Sequence, residues 1–206
     1  MTSTEIKAIV FDLGGVLIDW NPRHMYRKVF EDEAEMEHFL GEIATLEWNS
    51  QHDAGIRWAD GVAQLSEEHP EYADLIEMYM TRWTEMLNGP IDGTVAILAD
   101  LKEADYEVYA LTNWSAETFP IALERYDFLG WFEDIVVSGD EKLTKPDARI
   151  YEILLERVGR NAYECVFIDD SPANIEAARK LGLVGIPFHS PEQLAGELAA
   201  LGVTTD

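Results

Sequence analysis

Apolar and polar positions along the chain fall into two regimes. From Asp92 onward, mostly apolar runs of three to five residues alternate with segments of helical spacing. The pattern predicts helices over 92–104, 115–126, 146–158 and 191–201, and strands over 107–111, 135–137, 165–168 and 184–188. Pro146 falls at the first position of its helix. After the strand over 165–168, Ser171 is the expected N-cap, Pro172 the first helical residue and Gly182 the stop. An earlier run, residues 7–11, reads as a further buried strand. Strands separated by helices of this length imply an α/β fold: a parallel sheet covered by helices on both faces.

Residues 20–89 do not follow that alternation. Tyr26, Val29 and Phe30, then Met36, Phe39, Leu40 and Ile43, then Leu75, Ile76, Met78, Tyr79 and Trp83 recur at helical spacing, and no strand is expected among them. The segment reads as a compact helical insert placed after the first strand. The expected division is therefore a core of residues 1–19 and 90–206, carrying a helical cap over 20–89.

Composition narrows the function classes. The chain has 206 residues, 47% of them apolar, which suits a folded globular protein. Its 15 basic and 40 acidic residues give a net charge of −25, which argues against a nucleic-acid partner. Such a surface keeps a protein soluble, and scarce lysines also fit a high-salt cytoplasm. An anionic substrate would have to enter against this field, so local positive charge or a metal is needed. No apolar run is long enough for a bilayer, and Met1 to Glu5 lack a basic, signal-like character. The single cysteine, Cys165, cannot form an intrachain disulfide. A cytoplasmic enzyme, monomeric or homodimeric and without a membrane or nucleic-acid partner, is expected.

Candidate chemistry gathers where strands end. Asp12 follows the first strand, Thr112 and Asn113 the strand over 107–111, and Asp169 and Asp170 the strand over 165–168; Lys145 lies in the loop before Pro146. Ligands of open parallel sheets bind at such C-terminal edges. Each position taken singly has a plain structural explanation: a turn, a loop, a surface lysine, or acids at a helix N-terminus. Their convergence on one edge of one sheet is what points to a site.

The set resembles the haloacid dehalogenase superfamily, in particular its phosphatases with a small helical cap. The resemblance rests on VFDLGGVL (10–17), ALTNWS (110–115), KPDARIY (145–151) and FIDDSPANIEAA (167–178), and it spans almost the whole chain. It implies a Rossmann-like core, Asp12 as the nucleophile that forms an aspartyl-phosphate, and Mg²⁺ as cofactor. The metal ligands implied are Asp12, the Gly14 backbone carbonyl and Asp170, with Asp169 holding metal-bound water. Lys145, Thr112 and Asn113 suit the neutralisation and hydrogen bonding of phosphoryl oxygens. The substrate implied is a small phosphorylated metabolite, with a sugar phosphate one candidate.

Gly14 departs from the commoner family pattern, in which an aspartate stands there as general acid and base. A positioned acid contributes about 10²- to 10⁴-fold, so another group, water or a good leaving group has to compensate. Asp19 is a substitute to consider. Trp20, Asn21, Arg23, Trp48 and His52 are expected pocket residues on or near the cap, and Trp114 an aromatic floor. Two other readings stand beside the phosphatase. A 2-haloacid dehalogenase of the same superfamily needs no metal and lacks the acidic pair. A non-catalytic binding protein on the same core is favoured only by Gly14.

Overall fold

A computed structural model describes residues 5–204, so the expectation for Met1 to Thr4 lies outside the described residues. Seven strands occur among them: β1 (Ala8–Phe11), β2 (Ile18–Trp20), β3 (Leu87–Pro90), β4 (Glu107–Thr112), β5 (Asp134–Val137), β6 (Cys165–Asp169) and β7 (Val184–Pro187). Five form one parallel sheet in the order β5-β4-β1-β6-β7. The first strand is thus central, and the connections leave it towards both edges. Such a reversal of strand order opens a crevice beyond the strand ends.

The period of two in β1 explains why helices cover both faces. Ile9 and Phe11 share a core with Leu98 and Leu101 of helix Asp92–Glu103 and with Leu194 and Leu198 of helix Pro191–Ala200. Ala8 and Val10 point the other way, towards Ile150 and Leu154 of helix Ala148–Val158 and Ile175 of helix Pro172–Lys180. All four β1 side chains are fully buried. Burial of each of the larger ones contributes about 1.5–3 kcal/mol, which offsets the entropy of ordering the chain.

Three details differ from the sequence expectation, each for a local reason. The helix expected over 115–126 begins at Phe119. Residues 115–118 are used instead for a turn, in which Ser115 Oγ accepts from Glu117 N and Thr118 Oγ1 from Trp114 Nε1. The helix expected from Pro146 begins at Ala148, with Asp147 as its cap accepting from Arg149 N at 2.8 Å. Ser171 does occupy the N-cap position of helix Pro172–Lys180, but its hydroxyl makes no cap bond.

The region expected to hold no strand contains β3. It pairs antiparallel with β2, with an irregularity between Asp19 and Trp20. Gly89 and Pro90 hid it, since both residues are poor strand formers and are tolerated at short exposed edges. The chain enters and leaves the helical insert through this ribbon, and Ile91 N donates to Leu17 O at 2.8 Å where it returns. The insert has its own aromatic core: ring centroids lie 5.0 Å apart for Tyr26 and Phe39, 5.1 Å for Trp48 and Tyr79, and 5.7 Å for Trp48 and Trp58. Ser138 Oγ reaches across to Asp53 O at 2.6 Å, and Trp83 packs on Trp114 at 5.6 Å, so the insert is seated on the sheet domain. Among the described residues no helix is long and apolar enough to cross a membrane.

Two helical glycines give opposite predictions. A Cβ on Gly61 would lie 2.8 Å from His52 Nε2, and that ring cannot retreat because it is buried, stacked on Trp58 at 3.8 Å and bonded to Ile56 O. Gly61→Ala is expected to cost about 1–3 kcal/mol. A Cβ on exposed Gly196 meets nothing within 4 Å, so Gly196→Ala is expected to gain about 0.5–1 kcal/mol. Urea unfolding of both variants checks this, and the reverse order of midpoints would contradict the packing described.

Candidate active site

The register of the sheet brings the strand-end residues level. Phe11 pairs with Ala110 of β4 on one side and Ile168 of β6 on the other. Asp12 therefore leaves β1 beside the end of β6, and its N–H still donates to Ile168 O at 2.8 Å. Between Asp12 and Asp169 sits Lys145, whose Nζ is 2.9 Å from Asp12 Oδ1 and 2.7 Å from Asp169 Oδ2 and donates to Leu111 O at 2.9 Å. The lysine side chain is only 1% exposed. Asn113 places it: the Asn113 amide donates to Lys145 O and its Oδ1 accepts from Lys145 N. That amide, expected to serve a ligand's oxygens, is engaged in part with the chain that carries the lysine.

Both oxygens of Asp169 are occupied. Oδ1 accepts from Ser171 N and Asn174 Nδ2, and Oδ2 accepts from Lys145 and Asn174 Nδ2. Asp12 Oδ1 accepts from Leu13 N at 2.7 Å as well as pairing with the lysine. Asp170 remains exposed to the cleft. One carboxylate oxygen from each of Asp12, Asp169 and Asp170 lies within 4.8 Å of the others.

This cluster holds more negative than positive charge. Burial pushes Asp12 up to about 8; Lys145 opposes that shift, while Asp169 and Asp170 add to it. Asp170 is raised as well, by desolvation and then by Asp169. Burial alone would lower Lys145, but Asp12 and Asp169 outweigh it and hold the ammonium above its ordinary value. One lysine thus answers only part of the charge of three acids. An all-oxygen donor set with a charge deficit fits a hard divalent cation such as Mg²⁺, and it lacks the nitrogen and sulfur ligands that zinc prefers. A cofactor of that kind suits the residues present.

The two glycines after Asp12 have different reasons. Gly15 has φ +75°, and a Cβ there would run into the Asp170 carboxylate. Only glycine lets the loop pass so close to the acid. Gly14 has no such constraint, since a Cβ there meets nothing within 4 Å. The absent side chain at Gly14 leaves open space over the site. Thr112 Oγ1 is buried with no hydrogen-bond partner, an arrangement that costs about 1–3 kcal/mol unless something occupies the site.

A cleft of about 360 Å³ opens over the acids, bordered by Asp12, Gly14, Asp170 and Asn113 below and by Trp20, Asn21, Arg23 and Leu46 above. A side recess of about 60 Å³ is walled by Trp20, Trp83 and Trp114. Four expected pocket residues, Trp20, Asn21, Arg23 and Trp114, thus border these spaces, although the Arg23 guanidinium is held by Glu37 at 2.6 and 2.5 Å. The other two do not. Trp48 and His52 are packed inside the insert, His52 fully buried and stacked on Trp58. Asp19 is absent from the cleft too; despite some desolvation, hydrogen bonds from His24 and Asn88 hold it below its ordinary value, as a firm carboxylate. Missed entirely were Asn49 and Asp53, which border both the cleft and the recess. They lie on helix Leu46–Asp53, one position further along than Trp48 and His52, and a rotation of one residue separates wall from core.

The raised Asp12 has a stability consequence. Its pKa in the folded chain, about 8, exceeds the ordinary 3.8, so the folded state binds more protons between those values. Stability supplied by the protonated form is therefore lost as pH rises from about 4 to about 8. In metal-free buffer, the stability of Asp12→Asn relative to the unmodified protein should increase across that window, and Mg²⁺ should stabilise the unmodified protein more than the variant. Paired urea titrations at pH 5 and 8 test this; a pH-independent difference would contradict the electrostatics.

The chain is similar to several known proteins. A sesquiterpene phosphatase of Aspergillus oryzae is 31% identical over 193 residues, covering 93% of each chain. An (S)-2-haloacid dehalogenase of Burkholderia cepacia is 28% identical, covering 86% of this chain and 82% of the relative. A magnesium complex of a haloacid dehalogenase family enzyme from Bacteroides thetaiotaomicron shares the fold, with a TM-score of 0.70 at 23% identity over 90% of this chain and 94% of that one. The family model for haloacid dehalogenase-like hydrolases matches residues 6–182, and the chain belongs to that family.

Proposed function

We propose that the protein is a Mg²⁺-dependent phosphatase that hydrolyses a small organic phosphomonoester through an aspartyl-phosphate on Asp12. The observation that carries this reading is the acidic trio around one buried lysine, a site with room for a divalent cation and an anion together. Asp12, Asp170 and the Gly14 carbonyl would hold Mg²⁺, which supplies positive charge against the phosphoryl oxygens. Asp169 has both oxygens engaged by the chain, so its part is to fix Lys145 and the turn at Ser171.

The residues then have separate tasks. Lys145 holds Asp12 in place and faces the developing charge. The unpartnered Thr112 hydroxyl donates to a phosphoryl oxygen. Asp12 attacks phosphorus in line with the departing alcohol, and water later releases phosphate from the acyl phosphate. Residues 20–89 act as a lid over the cleft that limits water and selects the organic group. The tryptophan-walled recess favours an apolar or ring-shaped moiety, such as a sugar or an isoprenoid head, whose remainder extends into the larger cleft. Part of the same reading is a cytoplasmic protein, acting as a monomer or homodimer on a small phosphorylated metabolite.

The dehalogenase alternative fits less well. A 2-haloacid carries its own carboxylate, and no metal would then offset three acids beside a single lysine. Colorimetric assay of phosphate from 4-nitrophenyl phosphate should show activity that depends on Mg²⁺ and vanishes in chelator. Asp12→Asn should lower it by about 10³-fold or more, and Asp170→Asn should raise the Mg²⁺ requirement. Halide release from 2-chloropropionate without phosphatase activity would overturn the assignment.

A further inference from the structure

We propose that Asp53, carried by the helical insert, is the proton donor that the backbone at Gly14 does not provide. The inference rests on the phosphatase reading and assigns the remaining role within it.

The geometry comes first. Gly14 borders two cavities, the cleft and its recess, and Asp53 borders both of them. The space left open by the missing Gly14 side chain is therefore faced from above by a carboxyl group. Asp53 is the last residue of helix Leu46–Asp53 and is held there firmly. Asn49, one turn earlier, donates to Asp53 Oδ2 at 3.1 Å, and Ser138 bonds its backbone carbonyl from the sheet domain. Neither partner belongs to the acidic trio.

Its protonation suits the task. Burial raises Asp53 to about 7, with the Ser115 backbone amide and the Lys145 charge acting in the opposite direction. An acid poised near neutrality both carries a proton and releases it. The charged and titratable groups around it are Lys145 below, Asp12 and Asp170 across the cleft, and the Tyr79 hydroxyl within the insert, itself raised mainly by burial. His52 precedes it in sequence but is turned into the insert against Trp58.

The steps balance. An Asp12 oxygen bonds to phosphorus as the ester P–O bond breaks, and the departing oxygen takes the Asp53 proton to leave as an alcohol. Asp53, now a carboxylate, accepts a proton from the water that attacks the acyl phosphate. Phosphate departs, Asp12 is again a carboxylate, and Asp53 is again protonated. Because the acid sits on the insert, proton transfer is available only when the insert is seated over the sheet edge.

The test compares kcat/KM for 4-nitrophenyl phosphate with that for butyl phosphate, since this parameter reports the step in which the alcohol leaves. An aryl oxygen carries charge readily and needs little protonation, whereas an alkyl oxygen needs it. In Asp53→Asn the aryl-to-alkyl ratio should rise by about 10²- to 10⁴-fold. The unmodified protein gives a second readout: the butyl phosphate profile should fall on the alkaline side as Asp53 loses its proton, a limb absent with the aryl ester. An unchanged ratio, with both rates falling together, would assign Asp53 a packing role and overturn the proposal. So would identical alkaline behaviour of the two esters. Absence of aryl phosphatase activity in the unmodified protein would instead remove the phosphatase reading itself.

Discussion

The structure turns on one buried cation. Lys145 Nζ stands between Asp12 and Asp169, almost wholly out of solvent, and its third contact is the Leu111 carbonyl. Desolvating three charges is expensive, and the mutual attraction compensates only where the geometry is good. Much of the surrounding architecture serves that geometry. The central position of β1 sets Asp12 beside β6, Asn113 grips the backbone of Lys145, and Asn174 reaches back from helix Pro172–Lys180 to Asp169. Even so, one lysine among three acids leaves negative charge unanswered. That deficit is what the proposed function uses, with a cation and its anionic ligand completing the charge.

On the proposed function, the same constraint is how a chain of net charge −25 would handle an anion. The overall field is repulsive, and Arg23, a cation that borders the cleft, is occupied by Glu37. Attraction therefore has to be local and short-ranged, and screening by salt leaves such buried contacts largely intact. The glycine pair fits the same economy of space. Gly15 lets the loop pass against Asp170, while Gly14 keeps the floor clear so that the insert can lower its own residues towards the site.

The α/β core was legible in the sequence because its signals are local and strong. Apolar runs end in polar residues, and helices of ordinary length separate them. The strand-end chemistry, Asp12, Thr112, Asn113, Asp169 and Asp170, could be marked for the same reason, since position at a strand end is itself the signal, and Lys145 joined it from the loop before Pro146. The insert was less legible. Helix Leu46–Asp53 splits its apolar and aromatic residues between two faces, Leu46 with Asn49 and Asp53 on one and Trp48 with His52 on the other. Its phase could not be read, and Trp48 and His52 were favoured over Asn49 and Asp53. The β2–β3 ribbon was hidden by Gly89 and Pro90, whose pairing depends on Ile18 and Asp19, some seventy residues away. Long-range contact decided both cases, and local pattern carries no record of it.

The central claim is that Asp12, held by Lys145, becomes the covalent phosphate carrier. Rapid acid quench of the protein with 4-nitrophenyl phosphate and Mg²⁺, followed by peptide mass spectrometry, tests it most directly. One phosphoryl group on the peptide that contains Asp12, lost on incubation in alkali and absent from Asp12→Asn, is the predicted result. Phosphate release at full rate with no modified Asp12 at any quench time, or a phosphoryl group on another residue, would contradict the account.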